Sequence, residues 1–419
     1  MKKILALALT LAMVVSLCAC GGGNASKDGS AAAEGGNTAV KAGFIFLHDE
    51  NSTYDLNFIN AAKEACESMG IEYVFKTNIP EGQEAFDAAC ELADEGCNYI
   101  FADSFGHEDY IIEAAKEYPD IQFCHATGTK AHTEGLDNFH NAFASIYEGR
   151  YLAGIAAGMK INEMIEKGDI TADQAKMGYV GAYTYAEVIS GYTSFFLGAR
   201  SVCPSVTMEV TFTGSWYDET AEKEGANKLI QDGCVLISQH ADSMGAPTAC
   251  ETAGVPDVSY NGSTASTCPE TFIVSSRIDW APYFKYAMGC VADGKAIDKD
   301  WVGDLSTGSV LLTELGKNAA EGTQEAIDKA KKDLEDGKIH VFDTNNFTVT
   351  VDKKNNVNTK ATVDKNGKLT GYMADVDTDE KYEGDTEAVK DGYFHESESR
   401  SAPYFDVQID GIKLLNAKF

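Results

Sequence analysis

The sequence predicts an α/β protein: two Rossmann-like lobes joined by a hinge, followed by a β-rich C-terminal appendage. Three observations carry this. From Val40 onward, short apolar runs alternate with amphipathic segments, the mark of βαβ units around parallel sheets. The series runs twice in succession, so two sheets are expected rather than one. Beyond Asp343 the texture changes to β-branched residues alternating with polar ones.

The first series opens with a strand over 42–47 and a helix over 56–69. Strand 71–75, helix 83–95, strand 98–102, helix 110–118 and strand 121–125 follow. A long helix, 146–165, leads into the second series, with strands at 177–180, 207–212, 235–238 and 256–260. Its helices fall at 187–199, 221–231 and 246–253. The expected boundaries are 39–142 for the first lobe, with 275–296 returning to it, and 143–274 for the second, with 297–345. Residues 346–419 form the appendage. Within it, 346–373 reads as a hairpin or small meander with turns at Lys354-Asn355-Asn356 and Lys365-Asn366-Gly367, and 375–398 reads as an acidic loop.

The first twenty residues predict the compartment. Lys2 and Lys3 precede an apolar run over 4–17 that is too short to span a bilayer. Leu17-Cys18-Ala19-Cys20 then places a small residue before a cysteine, the pattern of a signal peptide (1–19) cut ahead of a lipidated Cys20. An ordinary signal peptide with incidental cysteines is the alternative. Each buried CH₂ of an acyl chain adds about 0.8 kcal/mol, so two or more chains anchor a protein firmly to the membrane. Residues 20–38, rich in Gly, Ser and Ala, cannot bury enough surface to fold and read as a flexible tether.

A net charge of −31 argues against nucleic acid or an anionic membrane surface as partner. Eleven cysteines occur without metal-ligand spacing, and setting aside Cys18 and Cys20 leaves nine. Most of these sit in apolar runs, where a thiol behaves as a small hydrophobe.

In open parallel sheets, ligands bind beyond the carboxyl ends of the strands. Two such edges facing each other make a cleft that closes on a solute. The segments in that position are Ser104-Phe105-Gly106, 183–187, 216–218 and 240–242.

Several stretches resemble a known family: IFADSFGHEDYIIEAAKEYPDIQFCHATG, YEGRYLAGIAAG, EVISGYTSFFLGARSVCPSV, GSWYDETAEKEGANKLIQDG, SQHADS and RIDWAPYF, in order between 99 and 284. They resemble the basic membrane protein family of ABC-transporter substrate-binding lipoproteins, in the branch with adenine-binding members. The region 51–60 fits loosely and the tail after Asp343 is unfamiliar. The resemblance implies a type I periplasmic-binding-protein fold and an extracytoplasmic, membrane-anchored monomer that captures a purine base or nucleoside and delivers it to an ABC permease. It implies neither catalysis nor a cofactor.

A purine offers two flat faces and an edge of donors and acceptors, so aromatic rings and a few fixed polar groups are the candidates. Trp280, in RIDW, matches a family Trp and is expected as a wall; the alternative is a core Trp between lobes. Trp216 and Asp218 follow a strand, Asp218 being equally suited to N-cap the helix after it. Phe105 is a second wall or a packed hinge residue, with Gly106 beside it allowing close backbone approach. Asp242 is the chief polar candidate, since Ser243 is free to serve as helix cap. Tyr54 matches a family Tyr, and Asn57 or Asp55 stands near a family Asp. Glu187 either touches ligand or favours the positive end of its helix. Asn261 is a further candidate. Among enzyme signatures GxSxG, HExxH and GxxxxGK[ST] are missing, and His125, His132 and His140 suit no familiar metal spacing. A sugar receptor and a ligand-sensing surface protein on the same fold are the competing readings.

Overall fold

The computed structural model describes residues 39–374, 376 and 386–416; the signal segment, Cys20 and the tether lie outside them. The first lobe holds β1 (Lys41–Ile45), α1 (Thr53–Met69), β2 (Glu72–Lys76), α2 (Gln83–Asp94), β3 (Tyr99–Ala102), α3 (Glu108–Glu117), β4 (Gln122–Ala126) and β5 (Phe139–Ala144). The chain then crosses to the second lobe. There lie α4 (Ile146–Lys167), β6 (Lys176–Gly181), α5 (Ala186–Val202), β7 (Thr207–Phe212), α6 (Glu219–Gln231), β8 (Leu236–His240), α7 (Gly245–Ala253), β9 (Asp257–Tyr260) and β10 (Phe272–Ile278). It returns for α8 (Ala281–Asp293) and β11 (Asp300–Gly303), and crosses once more to β12 (Val310–Leu312) and α9 (Thr323–Glu335).

The first sheet has the order β11-β5-β4-β3-β1-β2, parallel throughout. Strands such as Tyr99–Ala102 are buried along their whole length, because helices cover both faces of a parallel sheet. α1 begins at Ser52, whose hydroxyl accepts from the Asp55 amide, and ends at Gly70 in the left-handed conformation. In the second lobe, α4 and α5 cross closely enough that a Cβ on Gly154 would strike the Phe195 backbone, and one on Gly198 the Tyr151 backbone. Glycine is required at that crossing.

Strand pairing corrects the expected boundaries between 275 and 345. Residues 272–278 belong to the second sheet, α8 packs on α1 of the first lobe, and β11 pairs with β5 in the first sheet. β5 and β11 were not anticipated. In β5, His140 and Asn141 interrupt the apolar run, their polar groups being met by Gln122, the Asp298 carbonyl and Glu108. Three crossovers join the lobes, at 144–146, 278–281 and 303–310. They are knitted by Ser145 N–H to Gly303 O (2.7 Å) and Asp279 N–H to Ser309 O (2.7 Å).

The appendage contains β13 (Ala361–Val363), β14 (Leu369–Ala374), β15 (Thr386–Glu387), β16 (Val389–Lys390), β17 (Tyr393–Phe394) and β18 (Ile412–Leu414). β13 and β14 form the expected hairpin. Part of the presumed acidic loop is paired backbone, β16 with β17. The last strand, β18, adds in parallel to β7, completing the second sheet in the order β12-β10-β9-β8-β6-β7-β18. Among the described residues the appendage has no separate core: Phe342 stacks on Phe405 at 4.1 Å, within the same hydrophobic cluster as both lobes. Nine cysteines are free in the described residues, all buried but Cys90, which is half-buried. Among the described residues no helix is long and apolar enough to cross a membrane.

Candidate functional site

A cavity lies where the carboxyl ends of the two sheets face each other. Leu47 and His48 come from the end of β1, Tyr54 and Asp55 from the first turn of α1, Ser104 and Phe105 from beyond β3, and Thr127 from beyond β4. Across the cleft stand Glu187 of α5, Trp216 after β7, His240 and Asp242 at the end of β8, and Tyr260 ending β9. The lobes touch around it. Thr53 N–H and Oγ1 both bond the Asp242 carbonyl, at 3.1 and 3.2 Å. His48 packs on Tyr217 at 5.4 Å, and Phe105 on Tyr185 at 5.1 Å.

Three carboxyls, Asp55, Glu187 and Asp242, line this cavity with no Lys or Arg among the described lining residues. Each is held differently. Burial opposes the charge on Asp55, but bonds from His48 and Ser52 outweigh it and hold the carboxyl below its usual range. Burial pushes Asp242 well above the usual carboxylate range, and Asp55, Glu222 and Glu187 add to the effect. Its one protein side-chain donor is Asn261 Nδ2, at 3.1 Å. Glu187 faces His240 Nε2 at 3.4 Å.

The protonation of His240 follows from its neighbours. Tyr179 Oη, which accepts from the fully buried Arg150 (3.2 Å), lies 3.3 Å from His240 Nδ1. Burial depresses the imidazole pKa, leaving a neutral ring whose proton sits on Nε2 and points to Glu187. Glu187 keeps acceptor capacity for a ligand. The ring of His240 lies against Tyr260 at 4.4 Å, and the Tyr260 hydroxyl, buried, has no protein partner. The cavity therefore offers aromatic faces, several acceptors aimed inward and one unsatisfied hydroxyl. That arrangement suits a flat ligand with N–H or O–H groups on its edge.

Of the expected residues, the structure brings together Tyr54, Asp55, Phe105, Glu187, Trp216 and Asp242. The others stand back from the cavity. Trp280 is a core residue, 1% exposed and stacked on Phe58 at 4.4 Å; Phe58 in turn supports Tyr54 at 4.8 Å. Asp218 caps α6 by accepting from the Ala221 amide (2.9 Å). Gly106 makes room for Glu81 instead of ligand: its amide donates to Glu81 Oε1 (2.8 Å), and a Cβ there would lie 2.6 Å from that side chain. Asn57 does not line the cavity, and Asn261 acts through Asp242. Tyr260 is a lining residue that the sequence reading did not select, and His240 entered it only as the start of the segment 240–242. The only signal for them was a strand end, and β8 runs to His240, two residues beyond its expected limit of 238. Among the described residues no cluster could hold a metal, and His125, His132 and His140 each serve separate bonds.

Two α/β lobes, crossed three times and enclosing a polar, aromatic cavity at their strand ends, define a hinged solute receptor. The chain belongs to the Bmp family of PnrA-like ABC transporter substrate-binding proteins, whose model matches residues 46–343. It is similar to a purine-binding protein of Brucella abortus, 30% identical over 308 residues, covering 72% of this chain and 83% of that one. It is also similar to a protein named as an ABC transporter glucose-binding protein in Haloferax volcanii, 28% identical over 301 residues, covering 72% of this chain and 70% of that one. A solved ABC transporter solute-binding protein from Aeropyrum pernix K1 shares the fold, with a TM-score of 0.62 at 17% identity over 75% of this chain and 95% of that one.

Proposed function

We propose that this receptor captures a purine base or nucleoside in the interlobe cavity and delivers it, outside the membrane, to an ABC permease. The observation that carries the reading is the three-carboxyl, aromatic lining without a facing cation. Adenine and guanine present N–H groups along their edges, and each such group donated to a carboxylate is worth about 1.5–3 kcal/mol net. Trp216, Phe105, Tyr54 and Tyr260 supply faces for the ring, and the similarity to a purine-binding protein points the same way. The chain acts as a monomer, anchored through lipid on Cys20.

A sugar also fits between aromatic rings and carboxylates, and the relative named for glucose keeps that second reading in play. Differential scanning fluorimetry with adenine, guanine, their nucleosides, glucose and galactose separates the two. Purines should raise the melting temperature and sugars should not. Stabilisation by glucose alone would replace the purine reading with the sugar one.

A further inference from the structure

We propose that the C-terminal appendage is a working wall of the ligand site, closing a second chamber that takes a polyhydroxylated substituent carried by the purine. This rests on the purine reading. The chamber, open to solvent on one side, adjoins the interlobe cavity, and Phe105, Thr127 and Glu187 line both, so one ligand can lie across the boundary. Its outer wall comes from the appendage: Lys360, Arg400, Ala402, Pro403, Tyr404 and Asp406. All of these lie beyond residue 343, where the family match ends.

This wall is built, and it is tied to both lobes. Glu396 accepts from the Tyr404 amide (2.6 Å) and the Phe405 amide (2.8 Å), and Arg400 bonds the carbonyls of Ala402 (3.2 Å) and Pro403 (3.1 Å). Ser401 donates its N–H and Oγ–H to Asp300 of β11, both at 2.8 Å, fixing the loop to the first lobe. β18 fixes the same segment to the sheet of the second.

The chemistry of the lining selects the substituent. Thr129 and Thr184 bring hydroxyls, Glu187 and Asp406 carboxyls, Lys360 and Arg400 cations. These groups also bond within the protein, and a mixed set of donors and acceptors, with charges of both signs, matches sugar hydroxyls, which donate and accept. The boundary residue adds an independent sign. Thr127 is β-branched yet has φ 67°, and such left-handed backbone costs about 1–3 kcal/mol and collects at ligand sites.

Isothermal titration of adenine and adenosine into wild type, Ala402→Phe and Lys360→Ala tests the proposal. Wild type should bind adenosine more tightly than adenine. Ala402→Phe, which intrudes on the chamber, and Lys360→Ala, an exposed change, should each weaken adenosine by about tenfold. Adenine should be held as in wild type. If both variants bind adenosine unchanged, or lose both ligands equally, the appendage is not part of the site. A wild type that binds adenine and rejects adenosine overturns the chamber and leaves the purine reading standing. A wild type that binds neither overturns both.

Discussion

Asp242 is costly to the folded state. Its carboxyl is buried among Asp55, Glu222 and Glu187 with one side-chain donor, and its pKa is pushed well up. Asp242→Asn removes that repulsion, so the variant should melt at or above the wild-type temperature. It should nevertheless bind purine about tenfold more weakly, since the amide puts an NH₂ where the carboxyl has an oxygen able to accept. A thermal scan paired with titration checks both halves; a variant that binds normally removes Asp242 from the site. The two tryptophans separate binding from packing in the same way. Trp216→Ala should fold normally and lose about five- to hundredfold in affinity, from a stacking contribution of about 1–3 kcal/mol. Trp280→Ala should lose about 3–5 kcal/mol of stability in denaturant unfolding, because it empties the space beside Phe58. A stable Trp280→Ala protein that binds poorly would restore Trp280 as a ligand wall. The sequence offered Trp280 as a ligand wall or as a core residue between the lobes. Its stacking partner, Phe58, lies on a helix far away in the chain, and nothing local announces that packing.

At the scale of elements, the site loops are held by one helix side chain. Glu222 of α6 accepts from the amides of Asp218 (3.2 Å) and Ser243 (3.2 Å), while the Asp242 amide bonds the Trp216 carbonyl (2.9 Å). The loops carrying Trp216 and Asp242 therefore form one unit. Glu222→Ala should weaken ligand binding without touching ligand, and hydrogen exchange should show faster amides at 216–218 and 242–243 alone. Unchanged exchange there would show that the loops hold themselves. The alternation of apolar runs and amphipathic segments made most strands and helices legible, because strands buried on both faces are continuous apolar runs. β5 and β11 were illegible for the converse reason: His140, Asn141 and Asp300 give them polar surfaces whose partners lie elsewhere in the fold. Which lobe each segment after 275 joins is a matter of pairing, which periodicity does not encode.

For the whole molecule, buried titratable groups set the pH dependence of stability. Burial pushes Glu148, Glu222, Asp257 and Glu396 up to about 7. The folded state holds these protons more tightly, so the stability they contribute is full below their unfolded values near 4 and is lost as pH rises through 7. Burial pushes His107, His125 and His140 down to about 4 from 6.5, so their contribution is present above 6.5 and lost as pH falls towards 4. Between about 4.5 and 6.5 the two sets oppose each other; above 6.5 only the carboxyls act. The melting temperature should therefore fall from pH 6.5 to 8, and a flat profile would contradict these assignments. In the purine reading, both lobes grip one ligand through aromatic rings and carboxyls. Isothermal titration of wild type and Trp216→Ala with adenine, adenosine and glucose puts this to the test. Wild type should bind one purine per chain, held about five- to hundredfold more weakly by the variant, and glucose should give no heat. Glucose bound in the wild type with both purines ignored would contradict it.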